Sequence, residues 1–97
     1  MDSNANQVMK KMLQKITNSI VSNKKYSPFD KVEIFFAFGS KHRTAMCDWV
    51  YGMKIYSKGS FGLRSELVQE LQMEIKKKSE RFFNQSLCVT DVIFVKD

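Results

Sequence analysis

The chain has 97 residues, of which 43% are hydrophobic and 12% aromatic, with one Pro and four Gly. This length fits a single domain, and the apolar share excludes a disordered tail. Sixteen Lys and Arg against ten Asp and Glu give a net charge of +6, which favours an anionic partner: nucleic acid, an acidic protein surface or an anionic membrane.

Signals for secretion and for membrane insertion are missing from the sequence. The first six residues have neither the positive flank nor the apolar stretch of a secretory signal. The longest apolar run, Ile34 to Phe38, is far shorter than the roughly 20 residues that span a bilayer. Cys47 and Cys88 lie in predicted strands without CxxC spacing, so we expect buried free thiols. Reduced cysteines fit a cytoplasmic protein.

The first predicted element is a helix from about Ser3 to Ser22. Apolar residues recur there at steps of three and four and form one stripe. Its members are Val8, Met9, Met12, Leu13, Ile16, Ile20 and Val21. Pro28 then disfavours helix in the residue before it, so residues 26–30 are predicted to connect this helix to a strand.

Two strands are predicted next and form a hairpin. Lys31 to Phe38 has apolar residues on both faces, which indicates a central strand. After a polar turn at residues 39–44, Ala45 to Ser57 is apolar at odd positions and more polar at even ones, which indicates a half-exposed strand.

A long helix up to about Phe83 and a third strand, Leu87 to Val95, complete the order α-β-β-α-β. The buried side of this helix is predicted to contain Leu63, Leu67, Val68, Leu71, Ile75 and Phe82. The fold class is therefore α+β: a three-stranded sheet with two helices packed on one face. A right-handed crossover is expected to leave the first strand central and the other sheet face open.

Positive charges converge in this topology at the hairpin turn. The predicted cluster, here called the turn pole, contains Lys41, His42 and Arg43 from the turn and Lys76, Lys77, Lys78 and Arg81 from the end of the second helix. Such a cluster suits phosphate contacts, and Trp49 or Tyr51, with Tyr56 and Phe35, could stack on bases. The alternative is a helix end whose cations complement its dipole and aromatic residues that belong to the core.

A short motif before the second helix is less informative. Gly59 to Gly62 spells G-x-x-G, the form of the loop that holds the nucleic-acid backbone in KH domains. The element order is also similar to that of type II KH folds, but the helix that should precede the loop is missing. Two glycines before a helix are typical of an ordinary turn, and we assign no family.

Most catalytic and cofactor signatures are absent from the sequence. One His and two distant Cys do not make a zinc site, and no nucleotide-binding or nucleophile motif occurs, so we expect no metal and no cofactor. One enzymatic hypothesis is a metal-free ribonuclease of the mRNA-cleaving toxin type. His42 between two cations would act with Glu33 or Asp48 as the carboxylate.

The sequence thus predicts a small non-enzymatic domain that binds nucleic acid, with RNA or a ribonucleoprotein favoured, through the turn pole. The main alternative is a phage- or mobile-element-type protein that inhibits or redirects a host protein complex in the host cytoplasm, with aromatic anchors on the open sheet face. That face could also form a homodimer.

Overall fold

The computed structural model describes residues 3–36, 47–57 and 65–96. Its elements are a helix α1 (Ser3–Val21), a single 3-10 turn (Lys24–Tyr26), strands β1 (Lys31–Phe35) and β2 (Trp49–Ser57), a helix α2 (Ser65–Phe83) and strand β3 (Leu87–Lys96). The α+β class and the order α-β-β-α-β are confirmed, with the 3-10 turn as an addition. The predicted hairpin turn and the G-x-x-G motif lie outside the described residues.

The order of the strands differs from the prediction. The sheet runs β1-β2-β3, so the central strand is β2 and the prediction of a central β1 was wrong. β1 pairs with β2 in antiparallel fashion, whereas β2 and β3 are parallel. Because α2 returns the chain alongside the strand that precedes it, β3 pairs directly with β2. The prediction of a half-exposed β2 was also wrong, since its residues are all buried or half-buried.

Phe35 explains why both faces of β1 are apolar. This residue pairs with Gly52 of β2, and its ring covers the glycine so closely that a Cβ built there would lie 2.4 Å from the Phe35 Cζ atom. The inner-facing Val32 and Ile34 of β1 are buried in the core. The second apolar face of β1 therefore covers its neighbour within the sheet and does not indicate a central position.

The outer edge of β1 is closed by a side chain from α1. The Gln14 amide donates from Nε2 to the Val32 carbonyl at 2.8 Å, and its Oε1 accepts from the Ile34 N–H at 2.7 Å. Gln14 thus satisfies two backbone groups that a further strand would otherwise bond, and unpaired edge groups of this kind invite association with other chains. This contact also fixes α1 against the sheet.

Both helices pack on the same face of the sheet, α1 against β1 and α2 against β3, and they contact each other. The largest fully buried side chains are Tyr26, Tyr51, Leu13, Ile34, Met53, Ile55, Leu71, Ile75 and Leu87. Thr17 is also buried, and its hydroxyl donates to the Leu13 carbonyl at 2.8 Å. Three predicted stripe residues, Val8, Met12 and Phe82, are exposed instead.

The junction between α2 and β3 is held by polar contacts. The buried Ser79 hydroxyl donates to the Lys76 carbonyl at 2.9 Å and accepts from the Leu87 N–H at 3.2 Å. The Asp48 carboxylate accepts from the Ser86 N–H at 2.9 Å, and the Asp48 N–H donates to the Ser86 carbonyl at 2.9 Å. These contacts fix the C-terminal end of α2 next to the starts of the two parallel strands.

The two cysteines are joined in a disulfide at the same end of the sheet. Cys47 and Cys88 are bonded, with Cα atoms 5.8 Å apart, so the prediction of free thiols was wrong. The parallel register places Cys88 opposite Val50, and the Asp48 and Trp49 N–H groups both donate to the Ser86 carbonyl. These hydrogen bonds hold the segment that carries Cys47 against the start of β3, within reach of Cys88. The sulfur chemistry thus gives no support to a cytoplasmic setting, because disulfides persist mainly in oxidising compartments.

In the part of the chain that the structure describes, neither helix combines the length and the apolar character that a membrane crossing requires.

We predict that Gln14→Ala lowers the free energy of unfolding by about 1–2 kcal/mol, because two backbone groups at the β1 edge lose their partner. The measurement is urea denaturation followed by circular dichroism. Asn18→Ala is the matched control, since Asn18 is exposed and its side chain contacts only the same glutamine, at 2.9 Å, among the hydrogen bonds of the described residues. Equal stability of Gln14→Ala and the wild type would contradict this account of the edge.

Candidate nucleic-acid interface

Three cations of α2 share one shallow groove on the outer side of the helix. Lys77, Lys78 and Arg81 line this groove, of about 240 Å³, together with Glu74. The opposite side of α2 is buried against the sheet, whereas Lys77 and Arg81 are exposed. The spacing of one helical turn between positions 77 and 81 places these two side chains next to each other. The groove can therefore present several positive charges to one anionic ligand.

Lys76 does not line the groove of the other three cations, although the sequence predicted one cluster. Its Nζ lies 3.6 Å from Glu80 Oε2, an ion pair between residues four apart. Glu80 also accepts a hydrogen bond from the Ser86 hydroxyl, which, with the nearby Lys76, lowers the pKa of the carboxyl group. Lys76 thus faces the disulfide side of α2 and has a carboxylate partner there.

Glu74, the acidic member of the groove, is held by residues from the 3-10 turn. Its carboxylate accepts a hydrogen bond from the Tyr26 hydroxyl and lies 3.2 Å from the Lys25 Nζ. Burial opposes its ionisation, but these two donors outweigh that effect and lower the pKa of Glu74. Lys25 also pairs with Glu70 at 2.9 Å. Glu70 and Glu74 are therefore both paired with Lys25, although Glu74 also lines the groove with Arg81.

α1 adds positive charge and no negative charge to the neighbouring surface. The helix contains three lysines and no acidic residue. One of them, Lys15, lines a second groove of about 510 Å³ between the two helices, which also contains Lys78 and is otherwise mostly apolar. The remaining lining residues are Met12, Ile16, Ser19, Phe82 and Phe83. We call the combined surface of Lys15, Lys77, Lys78, Arg81 and Phe82 the basic helix surface.

The predicted turn residues Lys41, His42 and Arg43 lie outside the described residues, so their part in the turn pole stays a prediction. The described chain resumes at Cys47, which shares a groove with Lys76 and Lys77. The end of α2 and the start of the segment leading into β2 are therefore neighbours.

Neither of the two aromatic residues favoured for stacking is presented on the open face. Tyr51 is fully buried in the core, which excludes base stacking by its ring, and that prediction was wrong. Its hydroxyl is buried without a hydrogen-bond partner among the described residues, and burial raises its pKa. Trp49 is half-buried against the core, and its indole N–H donates to Gln85 Oε1 at 2.9 Å.

Phe35 and Tyr56 are the aromatic residues that the strand register places on the open face. Both are half-buried, and the Tyr56 hydroxyl donates to Glu33 Oε1 at 2.9 Å. The Lys31 Nζ lies 5.0 Å from the centre of the Tyr56 ring, and the Lys54 Nζ lies 5.9 Å from the centre of the Phe35 ring. The cations and aromatic rings of this face are thus engaged with one another.

Lys15 and Phe82 line the groove between the helices but are not among the binding residues predicted from the sequence. Phe82 was assigned to the core, but it is 64% exposed. Its adjacent partner Phe83 packs on the core. Consecutive residues on a helix are about 100° apart, so the pair Phe82-Phe83 already indicated that one ring would be turned away.

The two carboxylates considered for a ribonuclease are far apart and structurally engaged. Glu33 pairs with Lys54, six residues after Asp48 on the same strand segment, which corresponds to about 20 Å along the sheet. Glu33 accepts from Tyr56, and Asp48 accepts from Ser86. At most one of them could act at a given site, and the hypothesis requires only one, so it stays a prediction. Within residues 3–36, 47–57 and 65–96, no group of three His, Cys, Asp or Glu side chains is arranged to hold a metal ion.

Comparison with protein families, with characterised proteins and with solved structures found no match to this chain.

We predict that Glu74→Gln lowers the free energy of unfolding at pH 7 by about 1 kcal/mol, because the contacts of the carboxylate with Tyr26 and Lys25 are weakened. The effect is small because Lys25 and Glu74 are both partly exposed to solvent. The pKa of Glu74 in the folded protein lies below its ordinary value of 4.5. The ionised carboxylate therefore stabilises the fold fully above pH 4.5, and this stabilisation is lost as the pH falls through the folded-state pKa. Urea denaturation of both proteins should give curves that differ at pH 7 and converge once the pH is below the lowered pKa of Glu74. A difference that grows on acidification would contradict this assignment.

We also predict that Tyr51→Phe leaves nucleic-acid affinity unchanged and changes stability by no more than about 1 kcal/mol, because the ring is retained and an unsatisfied buried hydroxyl is removed. Thermal denaturation and an RNA titration of the purified variant measure the two effects. A loss of affinity with an intact fold would show that the Tyr51 hydroxyl contributes to binding and would contradict this prediction.

Proposed function

We propose that the protein is a non-enzymatic nucleic-acid-binding domain, with RNA favoured, and that its basic helix surface contacts the phosphate backbone. The observation that carries this proposal is the groove that Lys77, Lys78 and Arg81 line with a single carboxylate, that of Glu74, among the residues that the structure describes. Lysine and arginine side chains grouped in this way neutralise several phosphates at once and release their counterions.

The distribution of acids supports the same reading. Glu74 is satisfied by Lys25 and Tyr26 on its far side, so the groove is not closed by an internal ion pair between Glu74 and Arg81. Lys15 extends the positive surface onto α1, which has no acidic residue. Lysines from both helices thus line adjoining grooves, which cations that only complement the dipole of one helix end would not require.

We predict that Lys77→Glu/Arg81→Glu weakens binding at least about tenfold, because two phosphate contacts are replaced by repulsion. Fluorescence anisotropy with single-stranded and duplex RNA and DNA over a salt series is the measurement. The wild type should bind its preferred strand type more tightly than about 10⁻⁶ M near physiological salt. For single strands, the plot of log K against log[salt] should be less steep by about 1.4 in the variant, because each of the two lost phosphate contacts contributes about 0.7 to the slope.

A charge-matched control separates this surface from a general effect of net charge. Lys24→Glu/Lys96→Glu changes the net charge by the same amount at two exposed lysines outside the basic helix surface. We expect this control to retain affinity within about threefold, since distant charges are screened at physiological salt. If both double variants bind equally, or if the wild type binds nucleic acid no better than an unrelated basic protein, the proposal fails.

The alternative partner is an acidic protein surface, which the same cations could contact. A host-complex inhibitor of this kind would bind its target in the presence of nuclease and would show weak affinity for purified nucleic acid.

A homodimer through the open sheet face remains an independent proposal, because Ile93 is exposed there beside the half-buried Phe35 and Tyr56. The ribonuclease hypothesis depends on His42 and predicts RNA cleavage that His42→Ala abolishes.

A further inference from the structure

An exposed aromatic ring lies beside the cations of α2. Phe82 is 64% exposed and follows Arg81 directly in the helix. It lines the groove of about 510 Å³ between the helices, whose other apolar walls are Met12, Ile16 and Phe83. Met12, which lines the same groove, is 39% exposed, so the two side chains contribute to one apolar patch rather than being isolated exposed residues. Contiguous apolar patches with a polar rim are typical of binding sites.

The groove has a positive rim, and the described residues that line it include no carboxylate. Lys15 from α1 and Lys78 from α2 both line it. Lys78 also lines the phosphate groove proposed above, so the two grooves adjoin at this residue. An apolar slot therefore opens directly beside a row of positive charges. Among ligands, this combination suits one that carries a flat apolar group and a phosphate in each repeating unit.

We infer that the groove binds an unpaired base of single-stranded nucleic acid, stacked on Phe82, while Lys15 and Lys78 contact the flanking phosphates. This inference rests on the proposed function and names its substrate class. Proteins that bind single strands combine a positively charged groove with aromatic platforms, and the stacking is tolerant of sequence because every base has a π-face. A base inside a duplex is already stacked and paired, so it cannot enter the groove.

Substitutions at Phe82 distinguish stacking from simple apolar contact. Phe82→Leu keeps an apolar side chain but removes the aromatic face, and Phe82→Trp keeps and enlarges that face. Met73→Ala is the matched control, because Met73 is 59% exposed on the same helix and does not line the groove. Since Phe82 and Met73 are both largely exposed, these variants should fold like the wild type, which circular dichroism checks.

The test is anisotropy with fluorescent single-stranded RNA and DNA and with duplexes of the same sequences, together with the fluorescence of a 2-aminopurine placed in the single strand. We expect Phe82→Leu to weaken single-strand binding about fivefold to fiftyfold and to leave duplex binding unchanged, with Phe82→Trp near the wild type. Bound wild type should quench the 2-aminopurine, whereas Phe82→Leu should not.

The outcomes separate this inference from the proposal that it rests on. If Lys77→Glu/Arg81→Glu loses affinity for nucleic acid but Phe82→Leu binds single strands as the wild type does, the base groove is wrong and the phosphate surface stands. If single-strand and duplex affinities are equal in the wild type, the base groove is also overturned. If the wild type binds no nucleic acid, both proposals fail.

Discussion

The parallel pairing of β2 with β3, enforced by the α2 crossover, is the constraint on which the rest of the structure depends. Because β3 lies next to β2, the strand β1 is left at the edge, where Gln14 closes it. The same pairing brings Cys88 near Cys47 and fixes the C-terminal end of α2 through the buried Ser79 hydroxyl. The position of every cation on α2 follows from that arrangement.

The crossover also divides the charges of α2 into two groups with different surroundings. On the side of β3, Lys76 pairs with Glu80. On the outer side, Lys77, Lys78 and Arg81 share a groove, and α1 supplies Lys15 to the adjoining one. A cluster that appears as four neighbours in the sequence thus becomes three cations on one surface. The proposed interface is the side on which the cations outnumber the acids.

Helices and element order could be predicted from the sequence because apolar periodicity records which side of a helix is buried. The end of α2 at Phe83 and the start of β3 at Leu87 follow that pattern. Strand order could not be predicted in this way. The alternation of apolar residues along a strand shows that a side chain is covered, but it does not show which element covers it. Phe35 is covered because it packs over Gly52, and it was read as the mark of a central strand. The disulfide was missed for the same reason, since it depends on the parallel register.

Burial at the end of a helix could not be predicted from periodicity either. Phe82 continues the apolar stripe of α2, yet it is exposed, because that stripe extends beyond the surface that the sheet and α1 cover. Tyr51 differs in the opposite direction: it was predicted as a possible stacking residue, but its side chain is fully buried. The stacking residue that we propose, Phe82, is one that periodicity assigns to the core.

The most direct test of the central claim is to map the bound surface by titrating isotope-labelled protein with single-stranded RNA and following backbone amide chemical shifts. The account predicts that the shifts concentrate at Lys15, Lys77, Lys78, Arg81 and Phe82, on the helix layer. Shifts concentrated at Phe35, Lys54 and Tyr56 would place the ligand on the open sheet face and contradict the account.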